Sequence, residues 1–372
     1  MAVTQKQIGE KLGVTQQLVA LALQGDPRVA EETRNRIVQT AKDLGYHKYS
    51  NRHARILISR RHGKRATTGI LAVILSPALP SSPATAMPYF REHLNGIEIE
   101  AGRRELDILL LPSDGERLPW LIDEGWVDGV ICVGSHEHIY GLDKLDAPVV
   151  TVGCHFPPIS SLIPDDAEGI NKVIKHLIEL GHRRIAYLGN SHNASGQQRF
   201  NSFRQRVAEN GLELDDDLIE QVDSFEASTA QGEGLTSLLA RDREHQIKQG
   251  LTPGRLPSFT AVVCFNDPMA IDTIRKAQEL GIKVPEELSI TGFDDTSTQY
   301  NFQPAVTSVR IPLFEMGRRA VQLICEDLAR ERTFGPKTPV LDVLLMPKAS
   351  SVQHEVFPIE LVVRESSTVA RH

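Results

Sequence analysis

Val3–Leu23, VTQKQIGEKLGVTQQLVALAL, is the stretch whose reading decides the fold. Thr4 suits an N-cap, and a helix then runs to about Leu12 with Ile8 and Leu12 on one face. Gly13 stands where a left-handed residue closes a helix, and Val14 fills the corner. Thr15 is a second N-cap, followed by a helix with Leu18, Val19, Ala22 and Leu23 apolar. Two helices crossing at a glycine-containing turn predict a helix-turn-helix, whose second helix enters the DNA major groove. The same pattern also suits an ordinary helical hairpin in a core, so the choice rests on what surrounds it.

Asp26–Tyr46, DPRVAEETRNRIVQTAKDLGY, adds a third helix with Ile37, Val38, Ala41 and Leu44 as its buried stripe. Up to Ala66 the chain carries thirteen Lys and Arg against five Asp and Glu, whereas all 372 residues together have a net charge of -7. A basic arm on an acidic body is the electrostatic footprint of a nucleic-acid binder, and the body would repel DNA. Hydrophobic content of 41% is globular. No apolar run reaches the ~18 residues of a membrane span, and the N-terminus MAVTQKQIGEK has no signal core, so a cytoplasmic protein is expected. Cys132, Cys154, Cys264 and Cys325 form no CxxC pair and suit buried reduced thiols rather than zinc ligands.

The order of the three helices, the run VAEET and the closing LGY resemble the headpiece of the lactose/galactose-repressor (LacI/GalR) family of bacterial transcription regulators. The resemblance implies DNA contacts from Thr4, Thr15, Gln16, Gln17, Ala20, Leu21 and Arg28. Ala20 and Leu21 stand where the family commonly has a Ser-Arg pair, so base reading falls to Gln16 and Gln17. Residues 49–68 form a basic linker in which Ala54, Arg55 and Leu57 look like the family's minor-groove hinge, with Arg61 in a phosphate-binding tail. This linker is longer before Ala54 than in many members and lacks their proline after Gly-Tyr.

From Gly69 apolar strands alternate with helices, as in GILAVILS, DILLLP, VDGVICVG, PVVTVG, RRIAYLG, TAVVCFN and LSITGFD. Continuous apolar strands between helices predict parallel sheets covered on both faces. The pieces HLIELGHRRIAYLG, RFNSF, CFNDPMAIDTIRKAQELGIKVPEELSITGFDD and IELVVRESS resemble the family's effector domain. The expected fold is therefore an all-α helix-turn-helix headpiece (1–48), a linker (49–68) and an α/β periplasmic-binding-protein-like domain (69–372) of two Rossmann-like lobes. The lobe nearer the headpiece is expected to comprise 69–162 and 305–332, and the distal lobe 163–304 and 333–372. FPIELVVRESS is expected as one final strand, and Arg241–Ser258 as a polar insertion.

A ligand would sit between the lobes, outside the carboxyl ends of the strands. The resemblance points to Arg199, Phe225, Asn266 and Asp294 as effector contacts. An ion pair, an N-cap or a core aromatic are the structural alternatives for these four. After PVVTVG the family's usual acid is replaced by Gly153, Cys154 and His155. Adjacent residues on a strand point to opposite faces, which argues against a Cys154–His155 dyad. His182 reads as structural, and Trp120 and Trp126 as core rather than cleft residues. No GxGxxG, P-loop or nucleophile elbow occurs, so no enzyme, cofactor or metal is expected. The reading is a homodimeric repressor whose affinity for double-stranded operator DNA is set by a small molecule, a sugar or else a purine. A cytoplasmic solute-binding protein is the other class the body would permit.

Overall fold

The structure is a computed structural model. It describes residues 3–23, 26, 28–44, 68–75, 88–111, 118–134, 141–189, 194–212, 214–222, 233–333 and 352–371. The chain divides into two compact units, Met1–Thr68 and Gly69–His372.

In the first unit, helix α1 (Gln5–Leu12) opens with a capping box. Gln7 N–H donates to Thr4 Oγ1 at 3.3 Å, and Thr4 N–H donates back to Gln7 Oε1 at 2.8 Å. These bonds occupy two of the donors that a helix start leaves free. Gly13 closes α1 at φ 69°, and Val14 N–H returns to the Gly9 carbonyl at 2.9 Å. Helix α2 (Gln16–Leu23) starts where Leu18 N–H donates to Thr15 Oγ1 at 3.2 Å. Helix α3 (Glu31–Asp43) covers the pair. Ile8, Val19, Ala22, Val29, Ile37 and Ala41 form the small core, with Leu12, Val14, Leu18, Leu21, Leu23 and Leu44 packed around it. The Arg34 guanidinium donates to the carbonyls of Asp26 at 2.9 Å and Val29 at 3.0 Å, which ties the α2–α3 connection to α3.

The second unit contains two six-stranded sheets. The first has the order β11-β5-β4-β3-β1-β2. Its strands are β1 (Ile70–Leu75), β2 (Asp107–Leu111), β3 (Gly129–Val133), β4 (Val149–Val152), β5 (Ser160–Pro164) and β11 (His354–Phe357), all parallel. Helices α4 (Pro88–Arg103), α5 (Trp120–Asp123) and α10 (Leu313–Thr333) belong to this lobe. Glu100 of α4 holds Arg104 at 2.9 Å and Arg318 of α10 at 3.3 Å.

The second sheet has the order β12-β10-β9-β8-β6-β7. Its strands are β6 (Ile185–Gly189), β7 (Ile219–Gln221), β8 (Ala261–Cys264), β9 (Ser289–Asp294), β10 (Thr307–Arg310) and β12 (Glu360–Val362), and only β12 runs antiparallel. Its helices are α6 (Asp166–Glu179), α7 (Ala194–Glu209), α8 (Glu233–Lys248) and α9 (Asp267–Glu279).

Among the described residues the chain crosses between lobes three times: from β5 to α6, from β10 to α10, and from β11 to β12. This corrects the expected lobe boundaries at two places. Thr307–Arg310 belongs to the second sheet beside β9, not to the first lobe, and His354–Phe357 belongs to the first sheet beside β5. The single strand expected from Phe357 is instead two short strands in different sheets. Pro358 follows Phe357 at the break, and proline cannot donate to a ladder. Part of the expected insertion, from Arg241 to Lys248, is the end of helix α8. Its contacts with the body include Arg241 Nη2 to Glu220 Oε2 at 2.5 Å and His245 Nδ1 to Asp217 Oδ2 at 2.8 Å.

Candidate functional site

In the headpiece, Gln16 and Gln17 are exposed at the start of α2, and Ala20 is half-buried one turn on. Leu21 packs on the headpiece core. The Thr4 and Thr15 hydroxyls accept the cap bonds described above, and the Thr4 hydroxyl also donates to Gln7 Oε1 at 3.1 Å. Arg28 is exposed but forms a two-point contact with Asp26: Nε to Oδ1 at 2.9 Å and Nη2 to Oδ2 at 2.7 Å. Hydrogen bonds from Arg28 hold the Asp26 carboxyl down at about 2. Ala54, Arg55, Leu57 and Arg61 lie outside the described residues.

The second unit concentrates its buried charge at the carboxyl ends of β8 and β9. Arg199 of α7, Asp166 at the start of α6, and Asp294 at the end of β9 are all buried. Arg199 Nε donates to Asp166 Oδ1 at 2.8 Å, and Nη2 to Asp294 Oδ1 at 3.2 Å. Nη1 donates to the Phe265 carbonyl at 2.7 Å. The guanidinium also lies over the Phe293 ring, 3.7 Å from its centroid, and 4.8 Å from that of Phe265. Burial opposes the Arg199 charge, but Asp166 and Asp294 outweigh it and drive the pKa up. Burial drives both carboxyls up in turn, against the pull of Arg199. Asp294 takes a backbone φ of 92°, uncommon for a residue with a side chain, at the point where β9 ends.

Asn266 is the N-cap of α9, with Oδ1 accepting from Met269 N–H at 3.0 Å. The structural alternative raised for Asn266 is thus present, and its amide NH₂ is what would meet a ligand. Next to it, Asp267 accepts from Ser308 Oγ at 2.5 Å and from Ser297 N–H at 2.7 Å. Burial, partly offset by the Ser308 bond and reinforced by the charge of Asp294, pushes Asp267 up to about 7.

The first lobe meets this cluster through Tyr89 and the turn after β4. Burial pushes the Tyr89 hydroxyl well above the usual phenol range, and the charge of Asp294 adds to the shift. Gly153 has φ 88°, and a methyl group built on it would lie 2.5 Å from Tyr89 Oη. Its carbonyl accepts from Ser195 Oγ of α7 at 3.0 Å. Ser195 and Gly153 therefore join the two lobes beside the charged cluster.

A family model described as a periplasmic binding protein-like domain matches residues 174–367, more than half of the chain. Among curated proteins, the HTH-type transcriptional regulator DegA of Bacillus subtilis (strain 168) is 27% identical over 382 residues, with 99% of each chain covered. The HTH-type transcriptional regulator CelR of Thermobifida fusca is 26% identical, covering 93% of this chain and 98% of that one. The chain belongs to the LacI/GalR family of transcription regulators.

The fold of this LacI/GalR regulator is also that of solved relatives. The lac repressor dimer bound to operator and the anti-inducer ONPF superposes with a TM-score of 0.69 at 19% identity, covering 99% of this chain and 100% of that one. A CelR–cellobiose complex gives 0.64 at 21% identity, covering 98% and 100%.

Of the four effector contacts expected for this regulator, the fold brings Arg199, Asn266 and Asp294 to one cluster, and Phe225 lies outside the described residues. Reading the sequence did not single out Asp166, Tyr89, Ser195 or Asp267. Asp166 sits in PDDAEG, where one acid had to be an N-cap: Asp165 caps α6, and Asp166 is left to face Arg199. His182 bridges Thr260 Oγ1 at 2.8 Å and the Thr368 carbonyl at 3.0 Å, a structural role. Cys154 is buried and His155 exposed. Trp120 is 65% exposed, so the core role expected for it is wrong. Among the described residues no helix is long and apolar enough to cross a membrane.

Proposed function

We propose that this regulator acts as a homodimeric repressor in the cytoplasm, without catalysis, and that a sugar bound between its lobes sets its affinity for operator DNA. The observation that carries the effector reading is the buried Asp166–Arg199–Asp294 cluster at the strand ends facing the other lobe. Carboxylates held rigidly by a guanidinium are preorganised acceptors for sugar hydroxyls, and the half-buried ring of Tyr89 suits the apolar face of a sugar ring. The relatives fit this reading: CelR has been solved with cellobiose, and the lac repressor with operator. Homodimerisation is supported by Ile99 of α4, Leu110 of the edge strand β2 and Trp120 of α5, which leave apolar surface exposed on the first lobe.

In this reading the headpiece uses Gln16 and Gln17 for bases, and the linker residues Ala54, Arg55, Leu57 and Arg61 for the minor groove and phosphates. Closing the lobes on a sugar changes the spacing of two headpieces on a dimeric operator. The test is selection of bound sequences from a randomised duplex library by the full chain, followed by anisotropy titration of the selected duplex with and without each member of a sugar panel. A palindromic selected site whose affinity one sugar changes is the expected result. Selection of no sequence, or a duplex affinity that no sugar alters, would reject it.

A further inference from the structure

Two histidines far apart in the sequence meet on the surface of the first lobe. His155 lies in the turn that follows β4, and His354 is the first residue of the edge strand β11. Their ring centroids are 4.3 Å apart, and their planes stand at 66° to each other. Both residues are exposed. Among the described residues neither ring is hydrogen-bonded to another group, so its nitrogen lone pair stays open to a ligand. Glu355, the next residue on β11, faces the opposite side of the sheet, where Arg319 of α10 holds it at 2.7 Å. That ion pair therefore lies away from the imidazoles.

Two adjacent serines of β5 position both histidines. Ser161 Oγ accepts from Phe156 N–H at 3.2 Å and donates to the Ile159 carbonyl at 3.1 Å, which fixes the turn just after His155. Thr151 Oγ1 lies 2.9 Å from Ser161 Oγ and 2.9 Å from the Cys154 carbonyl, which fixes the turn just before it. On the other side, Ser161 N–H donates to the Gln353 carbonyl at 2.8 Å, and Gln353 N–H donates to Ser160 Oγ at 3.1 Å. Ser161 stands opposite His354 in the parallel ladder. Both backbones are thus set before any ligand arrives, as a binding constellation requires. Two imidazoles bound side by side to one ion at ~2.0–2.1 Å per nitrogen place their centroids roughly 4.5–5 Å apart. Small rotations of two exposed side chains close the gap from the observed 4.3 Å. Among the described residues a second grouping of donors, Asp215, Asp217 and His245, is already spent on its own contacts. Arg184 Nη2 donates to Asp215 Oδ2 at 2.5 Å, His245 Nδ1 pairs with Asp217 Oδ2 at 2.8 Å, and Gln249 Nε2 lies 2.6 Å from His245 Nε2.

We propose that His155 and His354 form a chelating site for a divalent late transition-metal ion, with one nitrogen from each imidazole as its two protein ligands and water completing the coordination. Imidazole suits copper, nickel and zinc, whereas magnesium and calcium take oxygen ligands. The ion joins the turn after β4 to β11 across β5. Strand β11 leads through Pro358 into β12 of the second sheet, so the ion fixes the first-lobe end of one crossing between the lobes. In the strand order β11 lies at the opposite edge from β2, so the site stays open when the exposed Leu110 face is covered. No short motif announces the site, because only the pairing of β11 with β5 brings the two residues together.

The experiment is isothermal titration of the untagged, metal-stripped full chain with Ni²⁺, Cu²⁺ and Mg²⁺ at about pH 8, where an ordinary imidazole is neutral. The chain has 13 histidines, so substitutions rather than heat alone assign the site. Wild type is compared with His155→Gln, His354→Gln, the double variant and His245→Gln. The expected result is saturable binding of one Ni²⁺ per chain, tighter binding of Cu²⁺ and no heat from Mg²⁺. Loss of an outer-shell partner alone costs ~10–100-fold in metal affinity, so each substitution at the pair should weaken binding at least ~10-fold. The double variant should lose little more than either single one, because one imidazole alone does not chelate. His245→Gln should bind as wild type does. Without metal all five chains should melt alike, and Ni²⁺ should raise the melting temperature of wild type and His245→Gln only. No binding by wild type, binding that both single variants keep, or losses that simply add in the double variant would each overturn the proposal.

Discussion

The Ser195 hydroxyl donates to the Gly153 carbonyl at 3.0 Å, and the two residues belong to different lobes. A bond of this kind biases the equilibrium between open and closed lobes, and a neutral hydrogen bond contributes ~0.5–1.5 kcal/mol net. Ser195→Ala should therefore shift the ligand-free chain toward the open form by about fivefold, since 1.4 kcal/mol is tenfold. Small-angle scattering of wild type and mutant without ligand should show a larger radius of gyration for the mutant. Superimposable curves would mean that the bond does not hold the lobes together.

Gly153 supports a second expectation. Its φ of 88° disfavours any side chain, and a methyl there would press on Tyr89 Oη. Gly153→Ala should cost about 1–3 kcal/mol through the left-handed backbone, plus a steric share. Adding Tyr89→Phe removes the hydroxyl and should recover the steric share but not the backbone share. Urea unfolding of the two single mutants and the double mutant measures both parts. Strictly additive single effects would show that the two residues do not interfere.

Asp294→Ala should weaken effector binding by ~1.5–3 kcal/mol for each charged hydrogen bond it loses, while operator affinity without effector barely moves. Removing Asp294 also leaves Arg199 with one carboxylate fewer in a buried site, so the fold itself should lose stability. Asp294→Asn keeps the shape and separates the two effects. A folded Asp294→Asn chain that binds the effector as well as wild type would take Asp294 out of the site.

What the sequence made legible follows from where its signals are local. The headpiece helices are written in short-range features, the caps at Thr4 and Thr15 and the turn at Gly13, and those lie where the pattern placed them. Arg199 and Asp294 stood on motifs of the family, and the structure pairs them. The exchange of β10 and β11 between lobes was not legible. Strand composition tells that a segment is buried, but nothing in TSVR or HEVF says against which sheet. Tyr89 and Ser195 carry no pattern that separates them from core and surface neighbours on their helices. They become site residues only because the chain crosses three times and brings α4 and the β4 turn over the strand ends of the second lobe. Arg28 has a partner that its motif did not announce: Asp26, two residues away, accepts a two-point contact from it.

Asp267 makes stability depend on pH in a direction opposite to the usual carboxylate. Its folded value is raised to about 7, above the 3.8 of a free aspartate, so the native state binds more protons than the unfolded state between these values. Stability supplied by this group is complete near pH 4 and is lost as pH rises through about 7. Asp267→Asn keeps an acceptor for Ser297 N–H and offers a donor to Ser308 Oγ, so it mimics the protonated acid. The melting temperature of wild type should fall more than that of the mutant between pH 5 and pH 8. Parallel curves would assign the proton elsewhere.

The last expectation concerns what α2 reads. An arginine recognises guanine through its two acceptors, and a leucine can only touch a thymine methyl or pack inward. Leu21 packs on the headpiece core, so it is withdrawn from reading. Gln16 and Gln17 are exposed at the start of the same helix, and their amides suit adenine. Gln17→Ala should therefore cost ~1–3 kcal/mol on the selected duplex and little on random DNA. Arg61→Ala should weaken both alike and lower the salt slope by about one phosphate contact. Asp26→Asn should act in the reverse sense, because it frees Arg28 from its two-point contact and removes a negative charge from the DNA-binding arm. Binding to specific and random duplexes should then tighten together, with a steeper salt dependence. Titrations of the three mutants against both duplexes at two salt concentrations separate these cases. If Gln17→Ala leaves both the selected sequence and its affinity unchanged, α2 is not the element that reads the bases.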